Sequence, residues 1–144
     1  MVGAQGRRVK AALALLLLAG CFWRSYGRLA AVHVDVLVAM ARKGVDLVAN
    51  GRMSAESMPE LTYPLERAEA FARTATARSP ETRPSSLVAF GELLAQYRQF
   101  LDALDQARRT ARGEEARTVL GPSLAAVEAA GQAVRTALRT EHRL

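Results

Sequence analysis

Residues 85–112, SSLVAFGELLAQYRQFLDALDQARRTAR, decide the fold. Leu87, Phe90, Leu94, Tyr97, Leu101, Leu104 and Ala111 recur at alternating steps of three and four, across almost four heptads. That period puts them on one face of an amphipathic helix. Glu92, Gln96, Gln99, Asp102 and Asp105 fall away from the line, and Gly113 ends the pattern. Phe90, Tyr97 and Phe100 are read as core rather than as a ligand groove, with an exposed Phe100, which lies off the stripe, as the alternative.

The same period recurs on both sides. Upstream, residues 29–50 place Ala30, Val34, Leu37, Val38, Ala41, Val45 and Val48 on one face, with Asp35, Arg42, Asp46 and Asn50 opposite. Asn50-Gly51 is a stop signal. Residues 51–63 are punctuated by Gly51 and Pro59 and read as a loop with one turn of helix. Ser57-Met58-Pro59-Glu60 has capping-box spacing with a proline just inside, so a second helix can start there; a start at Pro64 is the competing choice. Its inner stripe is Leu61, Leu65, Ala68, Ala72 and Ala75, with Phe71 beside it. Ser79 to Pro84 is a short connector, because Pro80 and Pro84 keep the residues before them out of the helical region. Downstream, Leu120, Leu124, Val127, Gly131, Val134 and Leu138 mark a last helix within 114–140. Pro122 cannot donate its amide and crowds the carbonyl of Thr118, so this helix either kinks there or begins there. The expected fold class is all-α: a small antiparallel bundle of four helices, with a three-helix layout as the alternative. Residues 141–144 are expected as a frayed polar tail.

Composition agrees. Half of the 144 residues are hydrophobic but only 6% are aromatic, which suits close helix packing better than strands. The formal charge is +6. The first 20 residues carry three bases and no acids, which leaves 17 bases against 14 acids, or +3, in the rest. Signs alternate along that remainder without a basic tail, so no nucleic-acid partner is expected.

The N-terminus carries the one strong motif. Arg7, Arg8 and Lys10 precede an apolar run, Ala11 to Ala19, in the order of a Sec-type signal peptide. The run is far short of the ~20 apolar residues that span a bilayer. It closes on Leu18-Ala19-Gly20-Cys21. This tetrapeptide resembles the lipobox of bacterial lipoproteins: a branched apolar residue, two small residues, then Cys. The resemblance covers about the first sixth of the chain. It implies recognition of Leu18, Ala19 and Gly20 by a signal peptidase and cleavage between Gly20 and Cys21. It implies a diacylglyceryl thioether on Cys21, with acylation such as palmitate on the new amino group. An ordinary signal peptide and an uncleaved anchor are the alternatives. Phe22 follows, where an Asp tends to retain Gram-negative lipoproteins in the inner membrane. Its presence implies the periplasmic face of the outer membrane.

The expected organisation is therefore a leader over 1–20, a lipidated tether over 21–28, a bundle over 29–140 and a tail over 141–144. Phe22, Trp23 and Tyr26 in the tether suit the headgroup zone, or else begin the first helix and pack on the bundle.

Chemistry is sparse. Cys21 is the sole cysteine, so an internal disulfide and a cysteine metal cluster are excluded. His33 sits on the shoulder of its helix and His142 in the tail; no HExxH or paired-histidine spacing exists, and no metal site is expected. Haem would need His33 opposite Met53 or Met58, since Met40 shares its helix; no cofactor is expected. Adjacent Glu114 and Glu115 point about 100° apart on a helix and form no dyad. Arg108, Arg109, Arg112 and Arg117 form the densest basic patch. They suit a partner's acidic face or anionic headgroups, or simply a solvated helix end. The expectation is a non-enzymatic envelope lipoprotein, held to the membrane by its lipid, whose bundle binds another protein as an accessory or assembly factor. Secretion pilotins are similar in architecture alone. The alternative is a bundle that carries a small ligand or cofactor.

Overall fold

A computed structural model of the chain describes residues 2–79 and 83–144, so the centre of the 79–84 connector lies outside the described residues. Four α-helices follow one another: α1 (Val2–Ala49), α2 (Met58–Ala77), α3 (Ser85–Thr110) and α4 (Gly113–Thr140), with one 3₁₀ turn at Ala55–Ser57 before α2.

Paired residues give the directions. Along α1 and α4, Arg42 meets Glu128 at 3.1 Å and Asp46 meets Arg117 at 2.7 Å, with Asp35 joined to Arg135 further back. Rising numbers in one helix match falling numbers in the other, so the two are antiparallel. Helices α2 and α3 are antiparallel too, since Leu61 accepts from Tyr97 and Phe71 packs on Phe90. The diagonal pair α1 and α3 runs parallel, through Tyr26 on Ser86 and His33 on Phe90. This is an up-down-up-down bundle.

Helix α3 meets all three of the others and is buried across a broad face. Every residue of its predicted stripe is buried, and so are Leu93 and Phe100. Phe100, although off that stripe, is core as read: it is 0% exposed and packs against Tyr97 with ring centres 6.0 Å apart. A helix in contact with three neighbours needs more than one apolar seam.

Helix ends follow local rules, with two departures. Gly51 adopts φ +67°. Arg52 N–H donates to Leu47 O at 2.8 Å and Gly51 N–H to Val48 O at 3.0 Å, which is a Schellman motif closing α1. Helix α2 starts at Met58 rather than at Pro64. The expected capping box does not form: Ser57 makes no cap hydrogen bond, and Glu60 is engaged by Lys43 instead. Helix α4 runs unbroken from Gly113 through Pro122 to Thr140, so residues 114–120 are not a separate turn.

The tail is the larger correction. His142 takes φ +55°, His142 N–H donates to Arg139 O, and Arg143 N–H donates to Leu138 O at 2.8 Å. This second Schellman motif folds residues 141–143 back onto the bundle instead of leaving them frayed.

Helix α1 outruns its neighbours. At 1.5 Å per residue, 48 residues span about 72 Å, against about 42 Å for the 28 of α4. The overhang lies at the N-terminus. Residues 6–18 are all exposed, and the first buried side chain among the described ones is Tyr26.

Candidate functional site

The site of interest is where the overhang meets the bundle. Cys21 lies there, exposed and unpaired. The Cys21 side chain itself makes no hydrogen bond among the described residues, while Phe22 next to it lies under Arg78. Ser25 Oγ donates back to Cys21 O at 3.2 Å and to Phe22 O at 3.0 Å. Gly20 has open space around its Cα. Leu18 and Gly20 are both exposed; the side chain of Ala19 lies outside the described ones. Every described side chain of the motif is therefore reachable from solvent.

One turn further on, α1 enters the core. Tyr26 is fully buried, and Phe22 and Trp23 are half-buried against it. Of the two readings for residues 21–28, the structure shows helix packed on the bundle. The core begins at Tyr26, ahead of the expected boundary at Leu29. The Tyr26 ring stacks on Phe71 at 5.7 Å, and Trp23 meets Tyr26 edge-on at 4.9 Å.

A polar chain is threaded through these rings. Ser86 N–H and Oγ both donate to the Glu141 carboxylate, at 2.9 and 2.6 Å. The single hydroxyl hydrogen of Ser86 is thereby used, so the Tyr26 hydroxyl is the donor in its 3.1 Å bond to Ser86 Oγ. Burial raises the Tyr26 phenol above its ordinary value, so it keeps that proton. Helix α3 begins after Pro84 without a side-chain cap of its own. Glu141 supplies the missing acceptor at its first turn, where a carboxylate also suits the helix dipole. Arg143 closes the group, 3.1 Å from Glu141 and with its guanidinium 4.7 Å from the Trp23 ring centre. Arg78, at the end of α2, lies 4.7 Å over Phe22. Glu141, Arg143 and Arg78 were missed by sequence reasoning. The clue was available in principle: a carboxylate and an arginine two apart, on either side of His142.

The four arginines marked in the sequence lie at the other end and are occupied within the chain. Arg108 and Arg109 both hold Asp105, whose carboxyl is thereby kept below the usual aspartate range. Arg112 donates to the carbonyls of Arg108 and Ala111. Arg117 pairs with Asp46 and approaches Glu114. All four thus have partners within the chain.

His33 is half-buried between Phe71, 4.9 Å away, and Phe90, 6.2 Å away. Burial, and then the charge of Arg67, holds its pKa below the ordinary histidine value. Among the described residues no group of His, Cys, Asp and Glu is placed to hold a metal ion. One helix, α1, contains a window long and apolar enough to cross a membrane by composition. Its uncharged part, Ala11 to Trp23 between Lys10 and Arg24, spans about 20 Å as a helix, well short of the ~30 Å hydrocarbon layer.

No protein-family model matches the chain, and neither curated proteins nor solved structures yield a match. The class that fold and site define is a four-helix bundle with an unpacked apolar helix on one end.

Proposed function

We propose that the chain is the precursor of a lipid-anchored cell-envelope protein, whose bundle is a non-enzymatic binding module on the membrane surface. One observation carries this reading. A complete lipobox, Leu18 to Cys21, stands at the junction between an apolar helix that contributes nothing to the core and a bundle that is whole without it. Cutting before Cys21 removes no buried side chain among the described ones. It leaves the thiol and the new amino group five residues from the fully buried ring of Tyr26. Two or more acyl chains there hold firmly, whereas one gives marginal binding. The absence of an Asp after Cys21 favours the outer membrane.

An accessory or assembly role through a protein partner is supported by an apolar stripe on the outer face of α1. Leu29, Val32 and Val36 are exposed at helical spacing, Val32 to 56%.

The test is mass spectrometry of the N-terminal peptide from purified membranes. The expected species begins at Cys21 and carries diacylglyceryl and acyl mass. A Cys21→Ser chain is expected to be uncut and unmodified. A Cys21→Ser chain still cut before residue 21 would overturn the anchor.

A further inference from the structure

Charge along the bundle is segregated by end, and only the fold reveals it. The end around Tyr26 gathers the start of the packed part of α1, the close of α2, the start of α3 and the close of α4. It brings together Arg24, Arg28, Arg78, Arg83, Arg139 and Arg143. Its one acidic side chain among the described residues, Glu141, is engaged by Ser86 and Arg143, although it also lines the recess that holds Arg24 and Arg28. The opposite end mixes signs: Asp46, Asp105, Glu114 and Glu115 lie among Arg108, Arg109 and Arg117, largely paired. In sequence these arginines are scattered, so the alternating signs conceal the asymmetry.

We propose that this basic, aromatic-edged end is a docking surface for an anionic phospholipid bilayer, and that it stands the bundle upright on the membrane. Arg24, Arg28 and Arg143, with Trp23, line one recess beside the junction. Arg24, Arg28 and Arg139 are exposed and make no ion pair among the described residues. Phe22 and Trp23 share a second recess with Leu15 and Leu18 of the overhang, under Arg78. Cleavage before Cys21 removes the two leucines and leaves the aromatic edges facing outward. Aromatic rings with guanidinium groups over them suit the depth of lipid headgroups. Basic groups within a Debye length of about 8 Å attract an anionic surface. The choice of a bilayer over an acidic protein or a nucleic acid rests on position. Cys21 shares a recess with Arg24 and Arg28 of this surface, so the proposal builds on the lipid-anchor reading and adds an orientation to it.

The test removes the lipid so that the two ideas fail separately. A chain beginning at residue 21 with Cys21→Ser keeps every buried residue of the core. It is mixed with vesicles of phosphatidylcholine alone, or with one third phosphatidylglycerol. Binding is followed by sedimentation, and the position of Trp23, the sole tryptophan, by quenching from brominated lipid. The expected result is binding at least about tenfold stronger to the anionic vesicles at low salt, since each released counterion contact adds to the salt slope and several arginines act together. Binding is lost at high salt, and Trp23 is quenched in the bound state. Arg24→Glu with Arg28→Glu abolishes it, while Arg52→Glu with Arg109→Glu at the far end leaves it in place, both pairs keeping wild-type helicity. Equal binding to both vesicles, equal loss from both reversals, or Arg24- and Arg28-dependent binding to nucleic acid or an acidic protein but not to vesicles overturns the proposal. None of these outcomes bears on whether Cys21 is acylated.

Discussion

Two single residues set how the lower end of the bundle closes. Gly27 is buried where the returning C-terminus crosses α1. A Cβ there would overlap the carbonyl oxygen of Arg143 and lie 2.8 Å from its carbonyl carbon. The tail of Gly27→Ala must lift, and the Glu141 cap on α3 lifts with it. The expected cost is about 1–3 kcal/mol, typical of forced overpacking. It reads as a lower thermal midpoint and a changed Trp23 emission once Arg143 leaves the ring. His33 sets a pH dependence. Its pKa is lowered in the folded chain, so below about 6.5 the unfolded chain binds a proton first. Stability from this residue is full above that pH and falls as pH drops through the window beneath it. The urea midpoint is expected to decline between pH 7.5 and 5, and His33→Leu is expected to flatten that decline. An unchanged slope in the variant would assign the dependence elsewhere.

At the scale of elements, the helices survive two internal prolines. Pro122 is exposed within α4 and Pro64 half-exposed within α2. Packing on α1 and α3 holds α4 continuous despite the missing amide bond to Thr118, a tertiary override of a local preference. Pro122→Ala restores that bond and removes the ring. After the greater entropy of the unfolded chain is offset, a gain of about 1–2 kcal/mol is expected in thermal denaturation. Helix α3 was the most legible element, because its stripe repeats over almost four heptads. What its period could not disclose was that Phe100 and Leu93 face a further neighbour. A period identifies one face, and the number of faces used depends on where the other helices go. The failed capping box has the same origin: Glu60 had two available partners, and Lys43 of α1 took it.

At the scale of the molecule, the boundary between overhang and bundle is decided by burial. A chain starting at residue 21 is expected to unfold cooperatively. One starting at Leu29 loses Tyr26 and its contacts with Phe71 and Ser86. Loss of a buried aromatic costs about 3–5 kcal/mol, so its midpoint in denaturant should fall markedly below that of the longer chain. Coincident midpoints would return the boundary to Leu29. The same scale separates the two arginine groups. Those close in sequence, Arg108 to Arg117, are engaged by carboxylates and carbonyls at one end, Arg117 by Asp46 of α1. Those scattered over four elements converge on one end.

The sequence by itself determined the helical class, the order of the four helices and most of the buried stripe, and it carries the tetrapeptide Leu18 to Cys21 on which the proposed anchor rests. These depend on residues a few positions apart, and a 3.6-residue period or a tetrapeptide records such relations directly. Tertiary structure alone decided that the core reaches back to Tyr26, that Glu141 caps α3 and that the bundle is basic at one end. Each of these joins residues on different helices, between 55 and 60 positions apart in the case of Ser86 with Glu141 and Tyr26, and no local pattern encodes which distant partner a side chain will meet.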